Sequence, residues 1–458
     1  MGNNNRISFT VLGGGGEVGA NCFLVSVNGA HILLDCGTHP KKEGLDALPA
    51  FALLRKRPDA LLISHGHVDH CGAMPYLHRM FSGIYTYATL PTARIMDRML
   101  HNSVAVMETI SKERGVADYP LYDHEDVGFA MRHTHGVEFG APFILDTPTP
   151  VSVRFQDAGH VLGSASVLLQ TDEHTLFYTG DICETDQELM GGYLPLPEGL
   201  QVDTLVIEST HGSTEEAKVL PYQEEALRLG RRIAEVLNRG GVALLPSFAL
   251  GRTQEMLNVI ARLQEEGIVP DVPVYASGLG RAIYELYARY DRYLGGHANL
   301  RPLDMFGRVG NVWGRGVVED LLRTPSIIVA TSGMMLENTP SALIAERMVR
   351  ETHHGIFFVG YVDHETLGYQ VLHAQPGDQL RFRLGGPAVE LRLENIQRFH
   401  FSAHAARSTL RNLIDRIRPR NVVFVHGDPD ALMWMENHTS NGYRHVTPAI
   451  GQTVNLTD

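Results

Sequence analysis

Within the six positions His65-Gly66-His67-Val68-Asp69-His70 the chain places three imidazoles and a carboxylate, directly after the apolar run Ala60-Leu61-Leu62-Ile63. A strand ending in so crowded a loop points to metal binding. From such a loop His65 and His67 aim at one cation while Asp69 and His70 turn toward a second, and Zn²⁺ accepts both nitrogen and oxygen ligands. A polar surface loop that merely contains histidines is the alternative, and further ligands elsewhere in the chain decide between the two.

Such ligands recur in similar settings. His160 lies in Gln156-Asp157-Ala158-Gly159-His160-Val161-Leu162-Gly163-Ser164, after a strand-like segment over 151–155. Asp181 follows the strand-like Leu176-Phe177-Tyr178-Thr179-Gly180, and His426 ends the apolar run 421–425. Each alone is a weak signal, but together they repeat one arrangement: a strand, a tight turn and a metal-binding side chain. Ligands gathered on strand ends rest on a rigid platform.

At 458 residues the chain exceeds the usual size of a single core, so two domains are expected. A hydrophobic content of 44% and a charged content of 20% describe an ordinary globular protein. The opening Met1-Gly2-Asn3-Asn4-Asn5-Arg6 carries no apolar signal-peptide core, and no uncharged apolar run is long enough to cross a bilayer. A cytoplasmic protein without a membrane partner is therefore expected. Cys22, Cys36, Cys71 and Cys183 form no C-x-x-C pair and are expected to be reduced and mostly buried. The formal charge of −13 argues against a broadly basic grip on nucleic acid. It does not exclude a nuclease, because two zinc ions would dominate the field locally. Arg231, Arg232, Arg252, Arg281, Arg407, Arg411 and Arg416 line either a groove or solvated helix faces.

The first two hundred residues read as β-rich, with strands expected over 7–12, 22–27, 31–35, 60–64, 151–155, 167–170 and 176–179 and helices over 73–80 and 91–112. Asn28-Gly29 between apolar runs predicts a hairpin. After Glu208 the rhythm becomes alternating helix and strand, from a helix over 223–239 to a strand over 355–361, which predicts βα units on a mostly parallel sheet. A hairpin is expected around Gly385-Gly386-Pro387. Because His426 must return to the metals, the domains are expected as 1–208, an insertion 209–378, and 379–458 rejoining the first, with the active site in the cleft between them.

His65-x-His67-x-Asp69-His70 with His160, Asp181 and a late histidine resembles the metallo-β-lactamase superfamily, and Asp35 in Leu33-Leu34-Asp35-Cys36-Gly37 matches its first acidic position. Closer likeness is to the β-CASP nucleases. Glu208 in Ile207-Glu208-Ser209-Thr210 corresponds to their motif A, His404 in Phe401-Ser402-Ala403-His404 to motif B, and His426 in Val425-His426-Gly427-Asp428 to motif C. The segments 246–255 and 330–334 also look like parts of the inserted domain. A histidine at motif C is usual among members acting on RNA, whereas DNA-specific ones tend to carry valine. His211, Glu337 and Asp363-His364-Glu365 depart from the family pattern. The chain ends soon after motif C, which looks like the compact two-domain form.

The resemblance implies a metallo-β-lactamase αββα sandwich with an inserted Rossmann-like α/β β-CASP domain. It implies two Zn²⁺ per chain, one held by His65, His67 and His160, the other by Asp69, His70 and His426, with Asp181 bridging and Asp35 fixing the ligand histidines. A shared water would be hydroxide near neutral pH, since zinc lowers its pKa to about 7. The catalytic set is then Asp69, Glu208 and His404: His404 contacts the phosphate and protonates the leaving oxygen, and Glu208 orients its ring. Ser247, Arg252, Ser332, Gly333 and His404 are the expected phosphate contacts, although Gly333 could only permit a turn and Arg252 could pair with Glu255. His133, His135, His353 and His354 are expected on the surface. The implied function is a zinc-dependent ribonuclease acting on single-stranded RNA to give 5′-phosphate and 3′-hydroxyl ends, with endonucleolytic and 5′-exonucleolytic action both open and a homodimer compatible. The competing readings are a small-molecule ester, thioester or lactam hydrolase, a DNA-directed β-CASP nuclease, and a catalytically silent scaffold.

Overall fold

The computed structural model describes residues 7–216, 219–440 and 442–457, so the opening Met1–Arg6 lies outside them. Two compact units are present. The first takes Met1–Thr185, Gly192–Glu216 and Ala403–Asp458, and the second takes Asp186–Gly191 and Ala217–Ser402.

The first unit holds two seven-stranded sheets. In one, the strands run in the order Thr453–Asn455, Ile7–Gly13, Cys22–Val27, Ala30–Leu34, Ala60–Leu62, Tyr85–Thr89 and Thr134–Val137. The other runs Arg444–Val446, Asn421–Val425, Thr204–Glu208, Thr175–Tyr178, Ala165–Gln170, Val151–Asp157 and Phe143–Leu145. The strand period of two sorts their residues into layers. Phe9, Phe23, Ile32, Leu34, Phe155, Val167, Tyr178 and Val423 form the core between the sheets. Leu33, Leu61 and Ile63 point the other way, onto Met74, Leu77, Met96, Leu100 and Val104 of the helices Met74–Met80 and Leu90–Arg114. Leu168, Phe177, Ile207 and Phe424 face Leu410, Leu413, Ile414, Leu432 and Met435 of the helices Arg407–Ile417 and Pro429–His438. This is the αββα sandwich. The Asn28-Gly29 hairpin forms with Val27 opposite Ala30, and Asn28 takes the left-handed conformation such a turn requires.

The second unit is built on six parallel strands in the order Gly307–Arg308, Val274–Ala276, Ser326–Ala330, Val242–Pro246, Gly355–Phe358 and Ile396–Arg398. Ala243, Leu245, Ile327 and Val329 pack on one face, and Val242, Leu244, Ile328 and Ala330 on the other. Buried on both faces, these strands read as continuous apolar runs. Residues 379–402, expected with the first domain, group with this unit because Ile396–Arg398 extends its sheet beside Gly355–Phe358. The hairpin around Gly385 is short, pairing Gln379–Leu380 with Val389–Glu390. His354, expected on the surface, is buried, and its Nδ1 accepts from the Val242 N–H at 3.0 Å.

All four cysteines are buried and none is in a disulfide. Among the described residues no helix is long and apolar enough to cross a membrane.

Phe155 is fully buried between the two sheets of the first unit and stacks on Phe143 at 6.3 Å. Phe155→Ala should cost about 3–5 kcal/mol, read as a lower urea midpoint with the amide protection of that unit's strands lost first.

Candidate metal centre

Strand ends and the loops beyond them carry most of the expected ligands of the first unit, while Asp69 and His70 lie on the short helix Val68–Cys71 that follows the His65 turn. Asp35 follows Ala30–Leu34, His65 follows Ala60–Leu62, Asp181 follows Thr175–Tyr178, Glu208 closes Thr204–Glu208 and His426 follows Asn421–Val425. Asp35 and His426 adopt positive φ, 59° and 50°, which turns the chain sharply at the strand end. Gly37 must be glycine, since a Cβ there would lie 1.7 Å from the Asp69 carbonyl oxygen. The His160 loop is anchored twice. Thr89 and Thr92 hydroxyls donate to the Gly163 carbonyl at 2.6 and 2.8 Å, and the Ser164 hydroxyl accepts the N–H groups of His160 and Val161.

The side chains converge. His67 Nδ1 lies 3.0 Å from His65 Nε2 and 3.2 Å from His160 Nε2. His426 Nε2 and His70 Nε2 lie 3.5 and 3.6 Å from Asp69 Oδ2. The Asp181 carboxylate stands among them, with imidazole nitrogens of His426, His70, His65, His160 and His404 at 3.2, 3.4, 3.7, 3.8 and 3.9 Å. Asp181 is 3% exposed, and its Oδ1 makes no hydrogen bond. His65, His67 and His160 form one potential ligand group, and Asp69, His70 and His426 another.

This donor set fits divalent cations. The outward nitrogen of each buried ring is already committed: His70 Nδ1 to Asp35 at 2.8 Å, His160 Nδ1 to the Ala403 carbonyl at 2.6 Å and His65 Nδ1 to the Ser64 hydroxyl at 3.0 Å. That leaves each Nε2 facing the cluster, the orientation that outer hydrogen bonds give to metal-binding histidines. Burial, reinforced by neighbouring imidazoles, holds the His65 and His160 pKa values well below the usual range, so both rings present a lone pair. Burial works against charge on His70, but Asp181, Asp69 and Asp35 outweigh it and raise its pKa. Burial likewise opposes the charged form of Asp69 and Asp181, yet the histidines around them push both pKa values down. A cation binding here displaces the His70 proton, because a ligating imidazole is neutral.

Beside the cluster, His404 Nδ1 donates to Glu208 Oε2 at 3.0 Å. Glu208 is 1% exposed and also accepts from the Ile182 N–H and the Thr210 hydroxyl. Burial disfavours charge on His404, but Glu208 and Asp181 more than offset it and raise its pKa to about 9. His404 makes no helix cap; the following helix begins at Arg407 behind Ala406. The His211 ring meets His404 edge-on at 5.8 Å.

The remaining expected phosphate contacts belong to the second unit. Ser247 is buried, and its hydroxyl donates to the Leu245 carbonyl. The Ser332 hydroxyl accepts the Leu336 N–H, and Gly333 packs so closely that a Cβ would lie 2.8 Å from the Phe248 ring. Arg252 is 7% exposed with its guanidinium over Phe401, while Glu255 takes the Tyr222 hydroxyl and the N–H groups of Glu188, Leu189 and Met190 instead of an Arg252 ion pair.

Three supporting residues escape a reading of the sequence. Asn21 Nδ2 donates to the Asp69 carbonyl at 3.1 Å, Ser64 gives both N–H and hydroxyl to Asp35, and the Tyr178 hydroxyl donates to Asp35 at 2.6 Å. Only their places beside ligand loops hinted at them.

Comparison with known proteins follows this geometry. Residues 15–205 match the metallo-beta-lactamase superfamily profile, 253–371 the Beta-Casp domain and 388–448 the Zn-dependent metallo-hydrolase RNA specificity domain. The chain is 32% identical to transcription termination factor FttA of Methanocaldococcus jannaschii over 92% of its own length and 67% of that protein's. It is 29% identical to endoribonuclease YSH1 of Gibberella zeae over 94% of its length, but spans only 54% of that relative. A solved structure from Enterococcus faecalis, of a protein of unknown function, shares the fold with a TM-score of 0.60 at 14% identity, covering 98% of this chain and 100% of its own.

Asp35→Asn keeps the shape but removes the charge that Ser64, His70 and Tyr178 converge on. Its metal affinity should fall about 10–100-fold, measured by competition with a chromogenic chelator.

Proposed function

Because the chain belongs to the metallo-β-lactamase superfamily and to its β-CASP branch, we propose that it is a zinc-dependent ribonuclease. It hydrolyses phosphodiester bonds of single-stranded RNA, in processing or decay, to 5′-phosphate and 3′-hydroxyl ends. The observation that carries this reading is the His404–Glu208 pair at 3.0 Å, set against a cluster of five imidazoles and two carboxylates. A protonated imidazole beside the ligands suits an anionic phosphodiester, giving one oxygen a charged donor and the poor alkoxide leaving group a proton. The names of the relatives, an endoribonuclease among them, support RNA as substrate.

His65, His67 and His160 would hold one zinc, Asp69, His70 and His426 the other, with Asp181 between them. The pair of ions, when bound, supplies an activated hydroxide and charge neutralisation at the nonbridging oxygens. The chain's own groups do the rest. Glu208, hydrogen-bonded to Nδ1, favours the protonated ring of His404. His404 hydrogen-bonds a phosphate oxygen and passes its proton to the departing 3′-oxygen. Glu208 fixes the ring through Nδ1, leaving Nε2 as the donating atom, and Ile182 and Thr210 keep the carboxylate in place. Asp35, through His70 and Ser64, keeps the ligand loop from rearranging as charge moves.

The zinc-loaded chain, incubated with end-labelled single-stranded RNA, should produce 5′-phosphate fragments, stop on chelation and resume on zinc addition. Glu208→Gln and His404→Ala should each slow cleavage by about 10²–10⁴-fold while zinc content stays at the wild-type level. Undiminished cleavage by a folded variant would remove these roles, and turnover of thioesters or lactams without RNA cleavage would overturn the ribonuclease reading.

A further inference from the structure

The second unit contains a cavity of about 480 Å³ that none of the chemistry above uses. Three elements of that unit form it. Tyr369, Leu372 and His373 come from the helix Leu367–His373, Ile396 and Arg398 from the edge strand Ile396–Arg398, and Arg228 from the helix Tyr222–Leu237. Val362 and Ile396 supply apolar wall, and the charged groups stand around it.

The two arginines differ in a telling way. Arg228 is fully matched: Nε and Nη2 make a two-point bond to Glu225 at 2.7 Å each, Nη2 also reaches the Arg398 carbonyl at 3.0 Å, and the guanidinium lies 4.0 Å from the Phe399 ring centre. Arg398 has no such partner. Its Nε donates to the Gly360 carbonyl at 3.2 Å, and among the described residues no carboxylate pairs with its guanidinium. Burial accordingly lowers its pKa, with the Tyr361 phenol the only group acting the other way. The same positive charge reaches the neighbouring His400, whose pKa is lowered by burial and then by Arg398. Arg398 is half-buried, and taking a guanidinium even partly out of water without an anion is costly. A half-buried guanidinium without a carboxylate, at the wall of a cavity, is placed to receive an anion.

Next to it stands a stacking platform. Tyr369 is 37% exposed, and its ring overlies that of His373 at 3.9 Å and 31°, a pairing fixed by the His373 Nδ1 bond to the Tyr369 carbonyl. A guanidinium without a carboxylate beside two exposed, closely apposed rings is a combination suited to single-stranded nucleic acid, one part taking phosphate and the other a base. In a chain of net charge −13, phosphate contacts have to be made by such isolated cationic points instead of a basic face.

We propose that this cavity is a nucleotide subsite for single-stranded RNA, in which Arg398 takes a backbone phosphate and the Tyr369–His373 pair takes a base. The identity of the ligand rests on the ribonuclease reading; the need for an anion at Arg398 does not.

The test is fluorescence anisotropy on the zinc-loaded full chain with a labelled phosphorothioate single-stranded oligoribonucleotide that resists cleavage, across a salt series. Arg398→Gln should weaken binding about tenfold and reduce the slope of log affinity against log salt by about one. Tyr369→Ala should weaken binding by a similar factor with the slope unchanged. Arg398→Lys should restore the slope. The melting temperature of Arg398→Gln should be no lower than that of the wild type, since a desolvated lone charge is removed; a structural arginine would lower it. Binding by Arg398→Gln and Tyr369→Ala with wild-type affinity and slope overturns the subsite, even where the wild type cleaves RNA. A wild type that binds RNA through Arg398 but never cleaves it keeps the subsite and overturns the ribonuclease. A wild type that neither binds nor cleaves RNA overturns both.

Discussion

One buried carboxylate ties the first unit together. Asp35 is fully buried and accepts hydrogen bonds from the Ser64 N–H and hydroxyl, His70 Nδ1 and the Tyr178 hydroxyl. These donors come from both sheets of the sandwich and from the loop that carries four of the ligands. A carboxylate out of water must be saturated with donors, so none of these groups is free to move independently. The charge that would be a liability in an apolar core becomes the point that sets the spacing between the sheets' ends.

From that point outward the geometry follows from the pleat. Strand ends of the two sheets meet at one edge, and most of the seven candidate ligands stand where a strand stops or, for Asp69 and His70, on the short helix Val68–Cys71 behind one, so their positions are inherited from backbone hydrogen bonding. The price is paid in backbone conformation, with Asp35 and His426 at positive φ and Gly37 pressed against the Asp69 carbonyl. The resulting cluster separates two kinds of histidine by environment. His65 and His160 are kept neutral by burial and by neighbouring imidazoles, whereas Glu208 and Asp181 favour the protonated ring of His404. One set is suited to hold cations and the other to deliver a proton, and the difference comes from neighbours, because the side chains are chemically identical.

The second unit uses charge differently. Three of its arginines stand in different settings: Arg228 locked to Glu225, Arg252 buried over Phe401, Arg398 left without a carboxylate among the described residues. Any hold on a polyanion must be made at discrete points.

The sequence by itself determined the fold class and marked the histidines and aspartates that the structure brings together. The Asn28-Gly29 turn between two apolar runs and the doubly buried runs around Leu244 and Ile328 record the hairpin and the number of covered faces, and a histidine or aspartate directly after an apolar run marks a strand end. Those signals are local, so they survive in one dimension. Only the tertiary structure decided which polar groups support the candidate ligands, where residues 379–402 pair, and that Arg398 at the cavity wall meets a carbonyl and, among the described residues, no carboxylate. Tyr178, Asn21 and Ser64 look ordinary in the chain because their importance lies in atoms more than forty residues away in sequence, or, for Ser64, twenty-nine. Ser247 and His354 look available for the same reason, until the Leu245 carbonyl and the Val242 N–H are seen to claim them. Whether a polar group is spent or open is a property of its surroundings, and a sequence carries the group without its surroundings.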